Sequence, residues 1–172
     1  MATFQSNVGN GYYLRAEVWE RANSVNVGNN TTIVDWELWL HATNSYFSPL
    51  ITLGNFHIAG NHVWGHNGNL SMPGFNSQIL LNSGGLVVGH NSDGTQSVGF
   101  SGDFRSQAQT QSWHVPQLNL SGSIVMSRIP RGPRVKHGGQ WRNTVAYVKH
   151  GGQWKTAIPH IKHGGQWKIG GG

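Results

Sequence analysis

The sequence predicts an all-β chain: an antiparallel β-sandwich or jelly-roll-like domain followed by three short β-hairpin repeats. Three observations predict it. Apolar residues recur with period two and nowhere with the 3.6-residue period of a helix. Clusters of Gly, Asn and Ser punctuate the chain about every 8–12 residues, the turn spacing of a sandwich. The phrase KHGGQW recurs three times near the end, at a spacing of 13.

The strands follow in order. In YYLRAEVWERA, Tyr12, Leu14, Ala16 and Val18 share one side while Arg15, Glu17 and Trp19 share the other, a half-buried strand. SVNVGNNTT supplies loop chemistry. IVDWELWLHA alternates again, with Val34, Trp36, Leu38 and Leu40 expected inward and Asp35, Glu37, Trp39 and His41 outward. FHIAGNHVWG reads as two strands around a Gly60-Asn61 turn. Beyond SQILLNSGG, a strand through Leu86–Val88, a turn at Asn91–Gly94 and a return through Gln96–Phe100 are expected. SWHVPQLNLSGSIVMSRIP gives the last long strand region, bent near Pro116 and Gly122. RIPRGPR cannot sit inside a sheet, because each proline lacks a ladder donor. The expected organisation is therefore a sandwich over 1–127, a Pro/Arg linker over 128–134 and hairpin repeats over 135–172.

Charge divides the chain in the same place. The net charge is +6, yet residues 1–103 hold all six carboxylates and two arginines, a net of −4, while residues 104–172 hold ten bases and no acid. A basic tail of this kind suits a polyanion or an acidic protein surface. Cysteine is absent, which excludes disulfides and thiolate metal sites. The N-terminal stretch lacks a basic segment followed by an apolar one, so no Sec-type signal is expected. No apolar run approaches the roughly 18 residues that span a bilayer, so no membrane insertion is expected.

Chemistry-bearing motifs are few. His57, His62 and His66 cluster in sequence, but no Asp, Glu or Cys lies within fifteen residues to complete or support a metal site. His90, Ser92 and Asp93 are too close in sequence to converge as a triad, and SDG has turn chemistry instead. Asp35 and Glu37 lie two apart on the exposed side of one strand, the pattern of a solvated surface. No phosphate-cradling glycine loop opens a helix. No catalytic residue, metal site or cofactor is expected, and the chain reads as a non-enzyme.

The repeats are more specific. With Gly151-Gly152 as a two-residue hairpin loop, His150 must face Gln153, Lys149 face Trp154, Val148 face Lys155 and Tyr147 face Thr156. The same arithmetic pairs Lys136 with Trp141 and Lys162 with Trp167. A lysine stem can then cover the neighbouring indole, a contact worth about 0.5–1 kcal/mol when exposed. An isolated hairpin is marginal in water, so the Trp and aliphatic faces are expected to pack on one another or on neighbouring chains. Trp39 and Trp64, together with the repeat tryptophans, are the candidate glycan-stacking platforms.

LVVGHNSDGTQSVGFSGDF, followed by LSGSIVMSRIPR, resembles a β-rich domain of minor structural and tail proteins of long-tailed bacteriophages. YYLRAEVWE and VDWELWLHA fit that domain's opening strands, and YVKHGGQWK resembles Gly-Gly-x-Trp-Lys repeats that close such proteins. The resemblance covers roughly residues 10–131 plus the repeats. It implies a minor tail protein located in the virion, assembled in the host cytoplasm and without catalysis. Its implied partners are other virion proteins of the tail or capsid and further copies of the same chain, a trimer being favoured among homo-oligomers. Nucleic acid is not an expected partner. The rival expectations are a carbohydrate-binding module that meets host cell-surface glycans and a capsid decoration protein.

Overall fold

A computed structural model describes residues 1–43, 50–107, 114–129 and 134–169. Among them are fourteen strands and no helix. Eight build the larger part: β1 (Ala2–Gln5), β2 (Tyr12–Glu20), β3 (Thr31–Ala42), β4 (Leu50–Ile58), β5 (Asn61–Leu70), β6 (Ser77–Gly89), β7 (Ser97–Ser106) and β8 (Leu118–Val125). Six shorter ones follow: β9 (Arg134–His137), β10 (Gln140–Asn143), β11 (Ala146–His150), β12 (Gln153–Ala157), β13 (His160–His163) and β14 (Gln166–Ile169). The chain divides into two units. One comprises Met1–Arg21, Val34–Leu86 and Ser97–Val125, the other Ala22–Ile33, Val87–Gln96 and Met126–Gly172.

The first unit is built on two four-stranded sheets, ordered β1-β2-β3-β6 and β5-β4-β7-β8. The alternation read from β2 and β3 is the reason they lie where they do. Tyr12, Leu14, Ala16 and Val18 are buried, as are Val34, Trp36, Leu38 and Leu40. The second sheet answers with Phe56, Ile58, Val98, Phe100, Phe104, Leu118 and Leu120. Phe4 of β1 meets Phe100 of β7 edge-on, ring centres 4.6 Å apart, so the two layers touch through aromatic rings. Gly122 makes that contact possible, since a β-carbon there would lie 2.5 Å from the Phe100 ring and 2.6 Å from Phe4. Gly122 thus lies inside β8, while Pro116 precedes the strand.

Four details differ from the sequence reading. β1 was not expected; at four residues, its alternation is too short to read. The β4–β5 turn falls at Ala59-Gly60, one residue earlier than Gly60-Asn61, with φ of 51° and 77°. Asn61 stabilises it from the side by donating its amide to the Ala59 carbonyl at 3.2 Å. SQILLNSGGLVVG is one continuous strand, because Gly84 is a packing glycine and not a turn: a β-carbon there would lie 2.5 Å from the Trp36 indole. Finally, β7 does not return beside β6. It pairs with β4 and β8, so the segment through Asn91–Gly94 carries the chain from one sheet to the other.

In the second unit, HNSDGT folds into a closed loop. Asp93 accepts the Thr95 hydroxyl and its N–H, and these bonds, the hydroxyl first, hold its carboxyl below the ordinary value. Arg128 Nε donates to the Asp93 carbonyl at 3.2 Å, and Ile129 N–H to the Gly94 carbonyl at 2.9 Å. Gly94 has φ of 76°, and a β-carbon there would sit 2.1 Å from the Ile129 carbonyl oxygen. HNSDGT and the Arg128-Ile129 pair, well apart in sequence, are thus one interlock, with Ile129 buried. Residues 130–133 of the expected linker lie outside the described residues.

Candidate attachment site

Each KHGGQW phrase folds as its residues dictate. The three Gly-Gly turns take φ pairs of 58° and 81°, 61° and 78°, and 60° and 79°, the positive values a two-residue hairpin loop requires. A residue with a side chain would be strained at either position. The register then follows. Lys149 pairs with Trp154, Val148 with Lys155 and His150 with Gln153. Lys136 pairs with Trp141, and Lys162 with Trp167, in β9–β10 and β13–β14. β9–β10, β11–β12 and β13–β14 are three separate two-stranded sheets.

What the hairpins leave uncovered is more informative than what they pair. Trp154 and Trp167 are each 69% exposed, and Val148, Tyr147 and Ile161 are also exposed. The Trp141 side chain lies outside the described set. Among the described residues no lysine ammonium sits over a ring; the cation–π contact belongs to Arg15 and Trp39. Among the described residues the hairpins do not bury their Trp or aliphatic faces on one another either. Covering one such indole is worth roughly 2–4 kcal/mol at about 25 cal/mol per Å². Residues 134–169 add seven bases and no acid. The surface is therefore cationic with exposed aromatic rings, and suited to an anionic partner that also covers apolar area.

The other two candidate tryptophans are differently placed. Trp39 lies on the outer side of β3, opposite Arg15, whose guanidinium carbon is 5.8 Å from the ring centre. Its indole N–H donates to Glu37 at 3.1 Å. Trp64 pairs with Phe56 beyond a register shift in β4–β5, lies over Gly54 and stacks with His66 at 6.0 Å. Both rings are half-buried. His57 and His62 are brought together, ring centres 4.9 Å apart, across the same hairpin. Among the described residues no group of three or more potential ligands gathers to hold a metal ion.

One feature escaped the sequence reading. The outer side of β2–β3 is not a set of independently solvated groups but a network of contacts within and across the two strands. Tyr13 stacks on His41 at 4.7 Å, Arg15 pairs with Glu17 at 3.3 Å, and Arg21 forks onto Asp35 at 2.9 and 2.7 Å. Burial, and then the Arg15 charge, lower the His41 pKa below its ordinary 6.5. Glu17 and Glu37 stand directly opposite, a destabilising arrangement that each relieves on a neighbour in its own strand. Charged and aromatic residues at two-residue spacing on both strands were the available signal.

No curated protein and no solved structure matches the chain. The profile of a family described as "Siphovirus protein of unknown function (DUF859)" matches residues 1–147. That span includes the sandwich strands, the interlock of HNSDGT with Arg128-Ile129 and the first hairpin, and stops short of the second and third KHGGQW phrases. Matched over most of its length, the chain belongs to the DUF859 family of siphovirus proteins.

Proposed function

We propose that this protein is a non-enzymatic virion structural protein, a minor tail protein, that displays its β-sandwich and is attached through its basic hairpins. The siphovirus family supports a phage structural role. The observation that carries the finer reading is the exposure of Trp154 and Trp167 on hairpins that hold only positive charge. Copies of such hairpins repel one another, so the surface they cover is acidic and belongs to another virion protein or to an acidic region of a sister chain. Deleting residues 132–172 tests this by mass spectrometry of purified particles. Loss of the protein from virions is expected, and normal incorporation would refute hairpin attachment.

A second reading is favoured by the uncovered rings themselves. Trp154 and Trp167, each 69% exposed and covered by no lysine among the described residues, can stack on the sugar faces of a host glycan. A glycan array with the wild type and with Trp154→Ala and Trp167→Ala separates the readings. Signal lost in both variants supports sugar binding, and no signal above background removes it.

A further inference from the structure

Edge strands of soluble proteins are normally guarded by charge, proline, bulges or brevity, because their free N–H and C=O groups template pairing with another chain. β6 has neither charge nor proline, nor is it short. It ends the β1-β2-β3-β6 sheet, and its thirteen residues, SQILLNSGGLVVG, include no Lys, Arg, Asp, Glu or Pro. Among the described residues no strand pairs with its outer edge. Leu80 is 47% exposed and Val87 is 62% exposed along it.

The two sides of the strand are fixed by its contacts. Asn82 accepts the Trp36 indole N–H at 2.8 Å, Gly84 lies against the same indole, and Val88 is buried, so the even-numbered residues from Asn82 to Val88 share the core side. Odd-numbered ones face outward, Ser83 at the centre. Laying a second β6 antiparallel about Ser83 sets Ser83 against Ser83, Leu81 against Gly85 and Ile79 against Val87. On the core side it sets Leu80 against Leu86 and Asn82 against Gly84. Gln78 meets Val88 towards the strand ends; every other large apolar residue meets an apolar residue or a glycine, and like charges meet nowhere. Side-chain parity is also preserved, so both core faces stay on the same side of the joined sheet.

We propose that β6 is a self-association edge: two copies of the chain pair β6 to β6 about Ser83, joining two four-stranded sheets into one of eight strands. The occupant is a second copy because the strand is complementary to itself about its own midpoint and carries no charge that would repel its twin. This contact is twofold, a different symmetry from the threefold order expected from the sequence. It goes beyond the attachment reading and stands or falls separately, since it uses none of residues 132–172.

The absence of cysteine gives a clean test in the full-length chain. Directly opposed residues of an antiparallel pair have Cα atoms about 4.5–5.5 Å apart, within the roughly 4.4–6.8 Å a disulfide spans. Ser83→Cys under mild oxidant is expected to give a covalent dimer on a non-reducing gel. Ser77→Cys, opposed to position 89, is expected to give none. Val87→Lys, at an exposed position that leaves the core intact, is expected to halve the mass measured by analytical ultracentrifugation while the melting temperature holds. A monomeric wild type overturns the proposal. So does an oligomer that Val87→Lys leaves intact and Ser83→Cys does not cross-link.

Discussion

The β2–β3 pair and the β11–β12 hairpin are both antiparallel ladders with unbroken register, yet they do opposite things. In β2 and β3 every second residue is fully or nearly fully buried, from Tyr12 to Val18 and from Val34 to Leu40. In β11 and β12 both sides of the ladder stay largely exposed, the Trp154 ring included. Hydrogen bonds and turn glycines suffice to set a hairpin's register, but a second layer is needed to make it a core. The sandwich residues have found that layer within the chain. The described hairpin residues have not, and that difference is the physical basis on which attachment is proposed for the hairpins.

The contrast breaks first where the core is deepest. Phe104→Ala removes a fully buried ring of β7 and is expected to cost about 3–5 kcal/mol, read as a large fall in the urea midpoint. A loss below 1 kcal/mol would mean the sandwich is not packed as described. Gly94→Ala comes next, forcing a side chain into a positive φ and against the Ile129 carbonyl. About 1–3 kcal/mol of destabilisation is expected, with faster hydrogen exchange at the Ile129 amide. The smallest effect sharpens the comparison most. Trp154→Ala, although it deletes the largest type of side chain, is expected to shift stability by no more than about 0.5 kcal/mol. A loss as large as that of Phe104→Ala would show that the ring is buried in the folded chain and unavailable to a partner.

Legibility in the sequence followed length and locality. β2 and β3 were readable because nine and twelve residues of strict alternation leave no other period to fit. The hairpin register was readable because Gly-Gly in a two-residue loop fixes every pair behind it. β1 was too short to carry a pattern. The glycine pair in β6 was ambiguous because turn and packing glycines look alike without the Trp36 ring that decides between them. The route from β6 to β7 was hidden for a deeper reason: HNSDGT specifies its own closed loop, but nothing in it says which sheet receives the next strand. The candidate site was legible as pairs and illegible as exposure. Whether a lysine covers an indole depends on what else competes for both, and that is not encoded in spacing.

The equal geometry of the three Gly-Gly turns has a consequence for variation. Each hairpin closes its own ladder within thirteen residues and takes little support from its neighbours, so the number of copies is an adjustable quantity. Adding or removing one leaves the sandwich core and the register of the remaining hairpins unchanged. Under the attachment proposed above, avidity would by contrast respond steeply, because each further hairpin would bind at the effective concentration set by those already engaged. On that proposal, a gain or loss of thirteen residues would act as a graded control on how firmly the protein is held, with no cost to how it folds.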